Sequence, residues 1–170
     1  MSQKVAVVGA GFIGRSWAMV FAKAGHHVSL YDIDPTALSE AMNLLEINLA
    51  DLESNGLISS KDDLLGRIQP YKTLEGAVEE AEWVQENALE NVQIKRELFS
   101  RMDELLPETT ILASSTSAIP CSDISNGMKG AGRIIVAHPA NPPYLLPIVE
   151  LSGAPETKDE TIFRAKELLE

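Results

Sequence analysis

The chain has 170 residues, 45% hydrophobic and 23% charged, with 14 basic and 25 acidic side chains and a formal net charge of −11. That is the length of one globular domain with an ordinary core, which excludes collagen-like, membrane-spanning and disordered classes. The acidity argues against nucleic acid as a partner, because a phosphate backbone needs a concentrated basic face. The acidic stretch Glu75–Glu108 reads as a solvated face, although backbone N–H groups can hold an anion locally whatever the net charge. Cys121 is the single cysteine. It can form no intrachain disulfide and no cysteine-based zinc site, so a reducing compartment and no metal are expected. No leader-like segment precedes the first strand and no apolar run reaches membrane-spanning length, so the expected location is the cytoplasm, away from membranes.

Lys4–Gly9 is an apolar, β-branched run, the pattern of a strand buried on both faces. Phe12–Ala24 has helical spacing, with Ile13, Trp17, Val20, Phe21 and Ala24 on one stripe and Gly25 as its stop. His27–Asp32 reads as a second strand, and His26 and His27, beside the glycine turn, read as surface residues. Asp34-Pro35 opens a helix over Thr36–Ser54, and a turn at Gly56–Lys61 leads to a short helix. Ile68–Tyr71 and Glu82–Glu86 are short strands on either side of a short helix, Leu74–Ala81, and a longer helix follows over Asn91–Leu106. Thr110–Ala113 and Arg133–Ala137 are buried strands, Pro147–Leu151 is a last strand, and Lys158–Glu170 is a terminal helix. Strands alternating with helices predict an α/β fold, a Rossmann-type doubly wound and mostly parallel sheet with flanking helices. Its ligands are then expected in the loops along the carboxyl edge of the sheet.

The first strand ends in Gly9-Ala-Gly11-Phe12-Ile13-Gly14, an uninterrupted G-x-G-x-x-G between a buried strand and an amphipathic helix. Gly9 suits the tight turn, Gly11 the approach of a pyrophosphate, and Gly14 the close packing of helix on strand. The first helical residues, Phe12 and Ile13 among them, lie at a helix N-terminus that offers free N–H groups to phosphates. Asp32 ends the second strand 18 residues after Gly14. A carboxylate there binds ribose hydroxyls and repels a 2′-phosphate. No Lys or Arg occurs from Gly25 to Ser60. NAD is therefore predicted over NADP.

Two later loops fall on the same edge: Ser114-Ser-Thr-Ser117, and His138-Pro-Ala-Asn141-Pro-Pro. With Gly-Ala-Gly-Phe-Ile-Gly-Arg-Ser-Trp-Ala-Met, Leu-Tyr-Asp and Val-Ala-His-Pro-Ala-Asn-Pro-Pro-Tyr-Leu-Leu-Pro-Ile-Val-Glu-Leu, they resemble the 3-hydroxyacyl-CoA dehydrogenase superfamily over essentially the whole chain. The resemblance is greatest to the lambda-crystallin and L-gulonate 3-dehydrogenase branch, with L-carnitine dehydrogenase nearby. It implies NAD-dependent oxidation of a 3-hydroxy group. His138 would be the base, Glu150 its acidic partner and Ser117 the hydroxyl that holds the substrate oxygen. Asn141 would lie beside the nicotinamide, and Glu90 and Lys95 would touch the nicotinamide-side ribose. The residue types suit the task, since alcohol oxidation releases a proton as well as a hydride and histidine is the usual base near neutral pH. A carboxylate partner fixes its tautomer.

Plainer readings exist for the same residues. A histidine after a strand is often structural, Ser117 also suits the N-cap of a helix near Pro120, and Glu90 and Lys95 also suit a solvated helix start. Trp17, Met19 and Cys121 read as packing. The resemblance further implies that residues 1–170 are the NAD-binding domain and that the family's C-terminal all-helical domain, which completes the pocket and makes a homodimer, is absent from this chain. The chain alone is then expected to bind NAD without turnover, and the apolar side of its terminal helix to be under-covered. Acyl-CoA members commonly carry two aromatic residues after the histidine, where this chain has Pro139-Ala140. That difference favours a small polar 3-hydroxy acid such as L-gulonate or carnitine. A non-catalytic, crystallin-like NAD-binding protein is the second reading.

Overall fold

The computed structural model describes residues 2–170. The elements in chain order are β1 (Lys4–Val8), α1 (Phe12–Lys23), β2 (His27–Tyr31), α2 (Pro35–Ser54), α3 (Lys61–Leu65), β3 (Ile68–Tyr71) and α4 (Leu74–Val78). There follow β4 (Trp83–Glu86), α5 (Val92–Leu105), β5 (Ile111–Ser114), α6 (Cys121–Ser125), β6 (Ile134–Pro139), β7 (Val149–Gly153) and α7 (Asp159–Leu169). They build one sheet of order β3-β2-β1-β4-β5-β6-β7. Its first six strands pair in parallel and β7 runs antiparallel to β6. This is the doubly wound, mostly parallel architecture predicted, with the order reversing between β1 and β4.

The alternation of side chains along β1 divides the core. Val5 and Val7 pack with Trp17, Phe21, Leu45 and Ala165 on one face, while Ala6 and Val8 pack with Val84, Phe99, Met102 and Ile124 on the other. Both faces are covered, which is why the strand is apolar throughout. Helix starts follow local chemistry. The Asp34 carboxylate accepts from Thr36 N–H at 2.8 Å, and Ser60, Thr73 and Asn91 side chains cap α3, α4 and α5 in the same way.

Several expectations need correction. The last strand runs over Val149–Gly153, two residues later than predicted. Its antiparallel sense follows from the short link after Pro139, since a parallel crossover needs about a dozen residues or more. α4 ends at Val78, short of Ala81. The terminal helix is better covered than expected: Ala165 is fully buried and Ile162, Leu168 and Leu169 pack against the core, while Phe163 faces outward. Trp17, Met19 and Cys121 are buried, as read from their context.

His26 is buried, not a surface residue. Its Nδ1 accepts from Gln3 N–H at 3.1 Å, so the chain segment leading into β1 closes over the ring. Burial holds its pKa below the ordinary histidine value, with Glu82 opposing. Above about pH 6.5 the ring is neutral in both folded and unfolded chains and contributes nothing to pH dependence. Below that, the unfolded chain takes up a proton that the folded one refuses, and stability falls until the lower folded pKa is reached. His26→Asn keeps an acceptor but removes the titration. The variant is expected to lose less Tm than the parent between about pH 7.5 and 5.5. Equal losses in a thermal-melt series would show that His26 does not govern this range.

Candidate active site

Gly9 follows β1 at φ 95°, and a Cβ there would lie 2.6 Å from the Asn87 carbonyl oxygen. A Cβ on Gly14 would lie 1.8 Å from Gly9 O. The fold itself therefore demands these two glycines. Gly11 is different: its backbone is ordinary extended, and an added Cβ would meet no atom within 4 Å. Nothing in the fold demands glycine there, and the loop surface at Gly11 stands open. The first-turn N–H groups of Phe12, Ile13 and Gly14 have no helical acceptor, and α1 carries neither a side-chain cap nor an acid in its first turn. Donors free, space open and no competing carboxylate are what a dinucleotide pyrophosphate requires.

Asp32 fastens this loop. Its Oδ2 accepts from Ala10 N–H at 2.7 Å and its Oδ1 from Asp34 N–H at 2.9 Å. A carboxylate has about four acceptor positions, so capacity remains for ribose hydroxyls. Arg15, which precedes the Gly25–Ser60 stretch that lacks basic residues, donates from Nη1 to Ala10 O at 3.2 Å, and its Nε is buried without a partner.

At the ends of β4 and β5 lies a buried polar network that includes Glu86. This residue contradicts the reading of Glu75–Glu108 as a solvated face, being fully buried. Its carboxylate takes the Lys95 ammonium at 2.8 and 3.0 Å, the Ser114 hydroxyl at 2.6 Å and Ala88 N–H at 2.6 Å. Lys95 is only 1% exposed and also lies 3.5 Å from Glu90. Its ammonium is thus committed inside the domain, which rules out the solvated helix start for Lys95. Glu90 is half-exposed and accepts from the Thr116 hydroxyl. Partial burial works against its charge, but the Thr116 hydrogen bond and the Lys95 charge outweigh it, and its pKa sits below the usual carboxylate range.

Beside this network the Ser115 hydroxyl joins Trp17 Nε1–H at 3.0 Å, Gln85 Nε2–H at 2.7 Å and Asn87 Oδ1 at 2.7 Å. The sequence reading missed Gln85, Glu86, Asn87 and Ser115. The available signal was three consecutive polar residues ending an otherwise buried strand.

Thr116 also holds the next turn, accepting from Ile119 N–H at 3.0 Å. α6 has no side-chain cap, so Ser117 is not its N-cap, and the Ser117 side chain is exposed at the carboxyl edge. On the neighbouring strand, His138 and Glu150 face each other across the β6–β7 ladder, with Nδ1 3.1 Å from Oε2. The imidazole is 29% exposed and the carboxylate 80%. Asn141 is exposed just past the end of β6. Glycine loop, Asp32, Glu90, Ser117, His138 and Asn141 thus share one edge of the sheet. A cavity of about 750 Å³ lies elsewhere, between α1, the end of α2, α7 and the 143–148 loop. Its titratable lining residues are Lys23, Tyr144, Lys166 and Glu170, and it offers no base paired with an acid.

A glycine loop at a helix N-terminus, an acid ending the second strand and a histidine–carboxylate pair on the same edge define a dinucleotide-binding dehydrogenase domain. Residues 4–170 match the family described as 3-hydroxyacyl-CoA dehydrogenase, NAD binding domain, and the chain belongs to that family. It is 41% identical over 168 residues to the lambda-crystallin homolog of Bos taurus, covering 97% of this chain and 52% of that protein. It is 39% identical over 155 residues to an L-carnitine dehydrogenase of Streptomyces griseus, covering 91% and 46%. The solved structure of 3-hydroxybutyryl-CoA dehydrogenase from Escherichia coli K12 superposes with a TM-score of 0.94 at 30% identity, over 99% of this chain and 36% of that one. The chain spans about half the length of the curated relatives it matches. No helix of the described residues is long and apolar enough to cross a membrane.

Proposed function

We propose that the protein oxidises the 3-hydroxy group of a small-molecule substrate with His138 as the general base. The observation that carries this is the His138–Glu150 pair at 3.1 Å on the dinucleotide edge. NAD, when bound, accepts the hydride. Gly11 and the N–H groups of Phe12, Ile13 and Gly14 would hold its pyrophosphate, Asp32 a ribose, and Glu90 with Asn141 its nicotinamide end. Glu150 takes the Nδ1 proton of the imidazole as hydrogen-bond acceptor, which leaves Nε2 free to receive the hydroxyl proton. Ser117 is suited to holding the reacting oxygen, because its hydroxyl is exposed and not used as a cap. Lys95 would act from within, by holding Glu90. The substrate we favour is a small polar 3-hydroxy acid, on Pro139-Ala140 after the histidine and on the similarity to L-carnitine dehydrogenases. A cytoplasmic setting and a homodimer completed by a helical domain belong to the same proposal.

The test is NADH formation with L-gulonate, carnitine and 3-hydroxybutyryl-CoA, using the longest natural form of the protein. Turnover of one of the two small acids faster than the CoA ester is expected. No turnover of any of them, with NAD still bound, would favour the second reading, a non-catalytic NAD-binding protein, to which the similarity to lambda-crystallins lends support. Cofactor choice is checked by titration. NAD is expected to bind at least about tenfold, or about 1.4 kcal/mol, more tightly than NADP, because Asp32 repels a 2′-phosphate. Equal affinities would overturn the assignment of Asp32 to a ribose.

A further inference from the structure

Five residues at the ends of β4 and β5 close a ring through four side chains and both the side chain and main chain of Thr116. Glu86 receives Lys95, Lys95 lies 3.5 Å from Glu90, and Glu90 accepts from the Thr116 hydroxyl. Thr116 N–H donates to Ser114 Oγ at 3.3 Å, and the Ser114 hydroxyl returns to Glu86 at 2.6 Å. The ring ties the end of β4 and the start of α5 to the end of β5 and the loop after it, 26 to 28 residues apart in the chain. A buried ion pair of this kind adds little net stability over an apolar pair, because desolvating both charges offsets their attraction. Its outward products, however, are two groups on the dinucleotide edge: an ionised, half-exposed Glu90, and a Thr116 backbone that delivers Ser117.

We propose that Glu86 is a positioning residue for the nicotinamide half of the dinucleotide, acting through Lys95 on Glu90 and through Ser114 on the Thr116–Ser117 loop. This rests on the proposed placement of the nicotinamide end at the β4–β5 edge. Outside the ring the Glu86 carboxylate accepts from Ala88 N–H, which pins the loop leading to Glu90. Beyond Glu86 the Lys95 ammonium has only longer contacts, to Ala88 O at 3.4 Å and Glu90 at 3.5 Å. Both oxygens of Glu86 receive donors, and an amide nitrogen in place of one would leave either the Ser114 hydroxyl or Ala88 N–H without its acceptor and set an N–H group against the Lys95 ammonium.

The test compares Glu86→Gln, and Glu86→Gln combined with Lys95→Met, with the parent chain. Affinities for ADP, ADP-ribose and NAD are measured by calorimetry. ADP reports the adenosine half, and ADP-ribose adds the second ribose without the nicotinamide ring. In both variants ADP affinity is expected to stay within about twofold, while ADP-ribose and NAD affinities fall about tenfold or more. The double variant removes the buried charge together with its partner, so its stability is expected to be nearer the parent's than that of the single variant. Unchanged NAD affinity would overturn the proposal, as would an equal fall for ADP and NAD. Failure of the double variant to fold would also overturn it, by making Glu86 a residue of the fold and not of the site. If the parent binds NAD no more tightly than ADP, the placement of the nicotinamide end fails instead, and that result is read from the parent alone.

Discussion

His138→Ala in the longest natural form of the protein is expected to lower kcat by roughly 10²–10⁴ while NAD affinity stays nearly constant. The size follows from removing the one side chain on the dinucleotide edge that is both partly exposed and oriented by a carboxylate. The constancy follows from its place on β6, on the far side of β4 and β5 from the glycine loop. Glu150→Gln is expected to cost less and to alter the pH profile of kcat/KM, because in the proposed mechanism Glu150 acts on the imidazole and not on the substrate. Its carboxylate is 80% exposed, so part of its effect is open to screening by salt. Steady-state kinetics across pH with both variants decide the matter. Activity surviving in His138→Ala would make the histidine structural and move the search for a base to another group on the same edge.

Two glycine substitutions in the same loop should fail in opposite ways. Gly14→Ala places a Cβ 1.8 Å from Gly9 O, a backbone atom that cannot swing aside. Helix and strand must then separate, with an expected loss of about 3 kcal/mol of stability and of about 100-fold or more in NAD affinity. Gly11→Ala meets no atom within 4 Å and keeps an allowed backbone, so its stability should change by less than about 1 kcal/mol. Its NAD affinity should still fall, because the methyl occupies the approach of the pyrophosphate. Denaturant melts and NAD titrations of the two variants separate the cases. A stable Gly14→Ala chain, or a Gly11→Ala chain with full NAD affinity, would contradict the roles given to these positions.

The first third of the fold was legible because its determinants are local. A β-branched run buried on both faces, three glycines at fixed offsets and an acid at the end of the next strand are neighbours in the chain. Their meaning follows from backbone sterics and helix-end chemistry alone. The pairing of His138 with Glu150 came from family resemblance. What makes it physical is the antiparallel register of β6 and β7, which sets the two residues directly opposite, and strand direction is not written in either segment. The same limit explains the errors over His26 and Glu86. Both sit next to polar or turn residues in the chain and so read as solvated. Both are buried because distant segments cover them: Gln3 over His26, and Lys95 with Ser114 over Glu86. Local pattern reports which side chains prefer water. Whether a polar group is in fact withdrawn from it depends on whether folding delivers a partner to satisfy it, and in this chain strand order and register bring those partners together.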